Sequence, residues 1–355
     1  MVCGSWDGPR VEGASIRTCP KLSDLRLARL PEAGYHRASA AEGPDFRDVP
    51  GCEAAKRALQ VAAAGGHGVL MVGPSGAGKA ELASRLPSIL PPMTEAEAFE
   101  AAAIHSAVGE ATEPILTGMR PFRSPHHSIA LPGLVGGGSP LHPGEASLAH
   151  NGVLFLDGIA DFKPSALQGI RQSLESGRVA ITRVGVGRVE LPSRFMLAAA
   201  ADPCPCGCYG DGDEPCTCSS GLIRAYRSRI GGPLTDRIDV RVDVSRTAFR
   251  EVAASVRGTG SDELRLGVLR AREFAAWRLA RSGEESPRTP EAIARSCALS
   301  EQDEGFLEGT ARTLGAGGRG ILRVLSVART IADMQQSERV GREHLVEALA
   351  LAFRG

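Results

Sequence analysis

Gly68-Val69-Leu70-Met71-Val72-Gly73-Pro74-Ser75-Gly76-Ala77-Gly78-Lys79-Ala80 is the stretch that decides the fold. The apolar run Val69 to Val72 has the length and composition of a buried strand. It leads straight into a glycine-rich turn, and a helix is expected from about Lys79 to Leu86. Gly73, Gly78 and Lys79 stand at the G-x-x-x-x-G-K spacing of a phosphate loop. Such a loop, here Gly73, Pro74, Ser75, Gly76, Ala77 and Gly78, lets its backbone N–H groups (Pro74 has none) converge on a phosphate, and the helix that follows adds partial positive charge. Lys79 is expected to reach the β- and γ-phosphates as a point charge. The alternative, a plain glycine-rich strand-to-helix turn, is outweighed by the full spacing in the right context. One position departs from the pattern. Ser or Thr should follow the lysine and hold Mg2+ through its hydroxyl; Ala80 has no oxygen to offer.

Further along, Gly152-Val153-Leu154-Phe155-Leu156-Asp157 is a second apolar strand that ends in an acid. Such a strand alone is weak evidence. Placed about 80 residues after a phosphate loop it reads as a Walker B strand, with Asp157 as the Mg2+ carboxylate. A glutamate that polarises the attacking water should come next, and the residue is Gly158. Phe195 to Ala201 reads as another central strand with a polar end, Asp202.

The 355 residues carry no formal net charge, so a general electrostatic grip on nucleic acid is not written into the composition. Aromatic residues make up 4% of the chain, which weakens any base-stacking scheme. No apolar run approaches a membrane span, and Met1 to Cys19 lack a basic-then-apolar leader. A cytoplasmic protein without membrane contact is expected. Of 9 cysteines, five fall between Cys204 and Cys218. Two C-x-C pairs, Cys204/Cys206 and Cys216/Cys218, are candidates for four thiolates around a structural Zn2+; free thiols are the alternative.

The remaining segments divide the chain. Residues 1–44 show no sustained periodicity and are expected to form an irregular arm. An amphipathic helix is expected up to about Ala64, stopped by Gly65 and Gly66. Thr94 with Glu97 predicts a capped helix start. Pro121 to His127 breaks the pattern, and the adjacent His126 and His127 read as structural in preference to ligands or bases. A helix is expected over Pro164 to Ser176, then a hairpin turning at Gly185 and Gly187. Its arginines fit equally a solvated surface and contact with a phosphate backbone in a pore. From Ser245 onward the pattern is helical, and a separate helical domain is expected over 245–355.

Taken together these motifs resemble the Mg-chelatase-like AAA+ ATPases, in the ComM (YifB) branch, from about Asp45 to the end. The specific strings are Arg120-Pro121-Phe122-Arg123-Ser124-Pro125-His126-His127, Pro143 to Gly152, Pro203-Cys204-Pro205-Cys206-Gly207, Gly232 to Asp239, and Val327 to Asp333. The resemblance implies an α/β fold: a P-loop NTPase parallel sheet flanked by helices over 45–244, with a cysteine-rich insert at 203–219, followed by an all-helical lid. It implies ATP or ADP with Mg2+ as cofactors and a ring, usually hexameric, with nucleotide between subunits. It makes Arg237 the finger that completes a neighbour's site, and Arg319 or Arg323 the lid sensor. Asp202 falls where the family has a sensor-1 Asn that donates to the γ-phosphate; an ionised aspartate only accepts. Family members also carry a large domain before the phosphate loop, so truncation at the N-terminus is expected.

Three altered positions, Ala80, Gly158 and Asp202, bear on metal, water and γ-phosphate. The reading that follows is an ATP-binding subunit with impaired hydrolysis, in a ring of itself or of a related competent subunit, linked to DNA processing. The alternatives are an active ATP-driven motor of the branch-migration type on DNA and a zinc-stabilised interaction module. Metal insertion of the chelatase kind ranks below these, because the motifs match the ComM branch.

Overall fold

Short apolar strands set the architecture, because the central ones are buried on both faces and must be covered by helices. The computed structural model of the chain describes residues 2–3, 18–19, 43–183, 187–210, 214–230, 234, 237–246, 258–283 and 289–353. Most of the expected arm over 1–44, part of the cysteine insert, the Gly185 turn and half of the Gly232–Asp239 string lie outside the described residues. Five parallel strands, β1 (Val69–Val72), β2 (Phe122–Arg123), β3 (Val153–Leu156), β4 (Met196–Ala201) and β5 (Val240–Asp243), form one sheet in the order β5-β1-β4-β3-β2. Every residue of β3 and β4 is buried, and the four alanines at the end of β4 let the covering layers approach closely.

The flanking helices are α1 (Glu53–Gly65), α2 (Lys79–Ser84), α3 (Glu95–Ala107), α4 (Pro164–Ser176) and α5 (Ser220–Ile230). The C-terminal region adds α6 (Ser261–Ser282), α7 (Pro290–Cys297), α8 (Glu301–Thr313), α9 (Gly318–Met334) and α10 (Arg342–Ala352). The capping box at Thr94 forms as expected: Glu97 N donates to Thr94 Oγ1 at 3.2 Å, and Thr94 N to Glu97 Oε2 at 2.9 Å. The helix expected to run to Leu86 stops two residues earlier, and a new short helix, Leu86–Ile89, starts with Pro87 in its first turn, where a missing N–H costs nothing. Phe122–Arg123, read from sequence as an interruption, is the edge strand β2.

The helical region shares a hydrophobic cluster with the α/β core. Ala58, Leu59 and Ala62 of α1 pack with Leu264 and Val268 of α6 and with Val324, Ala328 and Ile331 of α9. Polar links cross the same seam. His67 Nδ1 lies 3.0 Å from Asp239 and its Nε2 lies 2.8 Å from Thr330 Oγ1, and Arg272 donates to Ala63 O at 2.8 Å. The last contact satisfies a carbonyl at the C-terminal end of α1, where the helix itself supplies no donor.

An antiparallel hairpin joins Arg178–Arg183 to Gly187–Pro192. Arg178 and Arg188 both pair with Glu190, at 3.2 and 2.7 Å. On the β2 side, Arg123 holds Glu145 and Glu110 together, and His105 joins Glu110 to Leu148 O. Gly152 marks the tightest crossing there. A Cβ on it would sit 2.0 Å from Pro121 O and 2.8 Å from Pro121 C, so only glycine fits between β2 and β3. Gly152→Ala should therefore destabilise the chain by about 1–3 kcal/mol, the usual cost of overpacking, read as a lower urea unfolding midpoint.

Candidate functional site

Register brings the polar strand ends to one edge. Val72 pairs with Ala201 and Asp243, and Leu156 pairs with Ala199, so Gly73, Asp157 and Asp202 all emerge at the C-terminal edge of the sheet. The chain leaves β1 with β4 on one side and β5 on the other, which opens a crevice where ligands bind in open α/β sheets.

The phosphate loop occupies this crevice. Gly76 and Gly78 have φ of 80° and 84°, a left-handed backbone that favours glycine. Gly73 is required for another reason: a Cβ there would lie 2.0 Å from Val244 O, the strand end crossing behind it. Lys79 is buried and folds back onto its own loop. Its Nζ donates to Gly73 O at 2.6 Å, Pro74 O at 2.9 Å and Asp202 Oδ1 at 2.9 Å. An ammonium has three donors, so all are engaged. An incoming phosphate must displace at least one of these acceptors, and Asp202, about two-fifths exposed, is the one that carries opposing charge.

The nucleotide cradle thus fits in backbone and lysine, while the Mg2+ donor set is thinner. Ala80 is exposed and offers only a methyl; Asp157 is exposed at the end of β3 and is the one carboxylate at the Mg2+ position. Gly158 has φ 65° and ψ 53°, so the turn after the Walker B acid is left-handed. A Cβ on Gly158 would lie 3.1 Å from Asp161 Oδ2. Asp161 therefore fills the space in which a glutamate side chain would start.

Sequence reasoning missed α5 and the residue it delivers. Tyr226 is buried near Asp202 and Asp161. Burial pushes its hydroxyl up to about 12, and the two carboxylates add to the effect. It stays protonated at neutral pH. The signal in the sequence was faint: α5 is rich in arginine and has only one buried residue among those described.

The arginines expected as a finger in trans and as the lid sensor are placed as follows. Arg237 pairs with Glu175 of α4 at 2.7 Å and is half-exposed. Its carbonyl stands against Gly68, at the start of β1. Arg323 donates to Ile238 O at 3.3 Å and its guanidinium lies 5.6 Å from the Phe353 ring centre. Arg319 is exposed at the start of α9. Arg237 and Arg323 thus sit at the N-terminal edge of the sheet, across its width from the phosphate loop of the same chain. His126 and His127 are exposed and stack with ring centres 4.1 Å apart; His127 meets the edge of Phe162, next to Asp161.

The cysteine-rich segment adjoins the loop. Cys204, Cys206, Cys216 and Cys218 place their sulfurs within 4.8 Å of one another. The sulfur of Cys204 lies 3.3 Å from that of Cys206 and 3.7 Å from that of Cys216, far beyond a disulfide bond. Four sulfurs about 2.3 Å from a tetrahedral Zn2+ would be roughly 3.8 Å apart, so the cluster has the size of a single-ion site. Backbone N–H groups of Cys208 and Thr217 pull the Cys206 thiol down to about 5, while desolvation pushes Cys218 up to about 12. Cys208 is outside the set: the Glu214 carboxylate holds its proton, with a pKa of about 11.

Two clefts lie away from the phosphate loop. One, of about 520 Å³, runs between α4 and the hairpin. The other, of about 640 Å³, sits under the C-terminal end of α1. Its arginines are already committed, Arg278 to Asp333 and Arg329 to the carbonyls of Ser296 and Glu338.

Family models agree with this architecture. Residues 45–252 match the model for magnesium chelatase, subunit ChlI, and residues 258–352 match its C-terminal model. Competence protein ComM of Haemophilus influenzae is 41% identical over 307 residues, 86% of this chain and 59% of its own length. The uncharacterised protein YifB of Escherichia coli is 40% identical over 309 residues, 86% of this chain and 60% of its own. A magnesium-chelatase 67 kDa subunit of Chlorobaculum parvum is 29% identical over 222 residues, 61% of this chain and 30% of its own. The chain spans about three-fifths of the length of the first two relatives. With the five-stranded sheet, the phosphate loop at its crevice and the helical C-terminal region, the chain belongs to the Mg-chelatase-like AAA+ family, in the ComM (YifB) branch.

Proposed function

We propose that the chain is a nucleotide-binding AAA+ ring subunit that holds ATP or ADP and hydrolyses it slowly or not at all. The observation that carries this is the state of Lys79. Its three protons are held by Gly73 O, Pro74 O and Asp202, in a loop whose neighbours Ala80 and Gly158 bring no oxygen. Lys79 and the loop backbone would hold the phosphates, and Asp157 alone would face Mg2+, which supplies charge neutralisation when bound. A positioned base contributes on the order of 10²–10⁴ in rate, and Gly158 has none to give. Arg237, on the far edge, is the group this chain offers a neighbouring site, whether on a copy of itself or on a related competent subunit. The four thiols are read as a structural Zn2+ site beside the loop. Among the described residues no helix is long and apolar enough to cross a membrane.

A second reading has one observation in its favour. Asp161 Oδ2 lies beside Gly158 and is placed to replace the missing carboxylate, as an active motor on DNA would require. The DNA-processing role implied by the ComM branch belongs with either reading.

These readings separate by measurement. Full-length protein titrated with a fluorescent ATP analogue, with and without Mg2+, should bind nucleotide with little gain from the metal, and turnover should be far below a normal AAA+ rate. Normal steady-state turnover that Asp161→Asn abolishes and DNA stimulates would establish the motor instead. Stoichiometric zinc with no nucleotide affinity would leave the interaction module.

Asp202→Asn removes the acid from Lys79 and restores a donor, so ATP affinity should rise roughly tenfold, about 1.4 kcal/mol; unchanged affinity would mean the ion pair does not compete with phosphate. Ala80→Thr with Gly158→Glu should raise turnover at least about tenfold, a part of what a full base supplies. The gain is tempered because a glutamate must leave or tolerate the left-handed backbone at 158, at about 1–2 kcal/mol. In a reconstituted mixed ring, Arg237→Ala should lower the partner's turnover while leaving this chain's own nucleotide affinity unchanged.

A further inference from the structure

The cysteine cluster and the phosphate loop adjoin at Gly207. Gly207 follows the first two cysteines, is buried, and has φ 81°. A Cβ on it would lie 3.7 Å from Ser75 N, 4.0 Å from Ser75 Cβ and 3.9 Å from Asp202 Oδ2. The segment that carries half of the thiols therefore runs about one methyl's breadth from Ser75, in the loop expected to hold a phosphate. A turn closed by Gly207 N donating to Cys204 O at 3.0 Å fixes the step from thiol to Gly207.

Covalent continuity ties the rest of the site to the same cluster. Asp202, which holds Lys79, ends two residues before Cys204. Cys218 is followed by α5, which carries Tyr226 to Asp202 and Asp161. Arg227 of the same helix reaches back: its Nε donates to Pro203 O at 3.5 Å and its guanidinium lies 4.8 Å from the Tyr209 ring centre. Cys204 is fully buried while Cys206 is exposed, so an ion has a route in from solvent on one side. Short loops of this kind have few apolar contacts of their own, and a tetrathiolate ion can supply the missing order.

We propose that the four cysteines bind one Zn2+ and that this ion acts as a clasp beside the phosphate loop, holding the Gly207 turn next to Ser75 and Asp202 and so ordering residues 73–79 for nucleotide. The clasp rests on the zinc and nucleotide readings above and adds the link between them. Loading with zinc preorganises the cradle. Loss of zinc frees the Cys204–Gly207 turn and loosens the loop, and nucleotide then spends part of its binding free energy on reordering it.

The test uses the full chain as purified. Zinc is measured by mass spectrometry, loop order by hydrogen–deuterium exchange over 73–79, and affinity with a fluorescent ATP analogue. These are compared for zinc-loaded protein, chelator-stripped protein, stripped protein given zinc again, and the variants Cys218→Ser and Cys208→Ser. One zinc per chain is expected. Stripping and Cys218→Ser should speed exchange at Ser75 to Lys79 and weaken ATP binding about fivefold or more, as loss of preorganisation does. Zinc added back to the stripped wild type should restore both, and Cys208→Ser should behave as wild type. Absence of stoichiometric zinc overturns the proposal, as does zinc whose removal leaves exchange unchanged. If the zinc-loaded chain binds no nucleotide, the nucleotide reading fails by itself and the exchange data still decide the clasp.

Discussion

The contact between Lys79 and Asp202 is the constraint on which the site depends. It exists because β1 and β4 are neighbours in register, so the residue after Ala201 and the loop after Val72 leave the sheet side by side. A charge-assisted hydrogen bond of this kind is worth about 1.5–3 kcal/mol when shielded, and less here because Asp202 is well exposed to water. Even a fraction of that is large for a loop whose task is to offer a free ammonium. The cradle neutralises itself: the cation that should draw in phosphate already has an anion. An asparagine at the same place could still accept from the lysine through its Oδ1, but it would bring no opposing charge and would have an N–H to offer the ligand. The change from neutral donor to anion thus alters both the lysine and the vacancy it faces.

Ala80 and Gly158, the other positions that depart from the expected pattern, are not equivalent in geometry. Ala80 is a simple deletion of an oxygen on an exposed helical position, where nothing in the packing opposes its return. Gly158 is different, because its backbone has settled in a left-handed turn and Asp161 has folded into the adjacent space. Reversal at 158 must move a backbone and a neighbouring acid. Tyr226 lies beside these features, buried near the two acids and kept protonated by burial first and by their charge second.

Much of this was legible in the chain itself. The phosphate loop, the strand ending at Asp157, the capping box at Thr94 and the ends of most helices follow from local chemistry, because glycine spacing, apolar runs and capping residues act within a few positions. The contacts that set the site's behaviour were not legible. Lys79 meets Asp202, and Ser75 adjoins Gly207, across more than a hundred residues, and only the strand order brings them together. The strand Phe122–Arg123 is two residues long and has no periodicity to detect. Helix α5 was missed because its burial is carried by one tyrosine among arginines. The cysteine spacing named the thiols but gave no hint that their turn adjoins the phosphate loop.

The positions of the arginines follow from the same strand order and limit what one chain can do alone. Ile238, which holds Arg323, and Arg237 beside it precede β5, while the loop follows β1; Asp239 and Val240 donate to Gly68 at the opposite strand end. A strand advances about 3.3 Å per residue, so the four residues of β1 put roughly 13 Å or more between that edge and the loop. Arg237 is held there by Glu175 and Arg323 by a carbonyl and the Phe353 ring, which favours neither reaching over the sheet. Of Arg237, Arg323 and Lys79, only Lys79 therefore lies in this chain's own loop. The arginines point the proposed assembly outward: a subunit with this geometry has more to give an adjoining site than it keeps for its own.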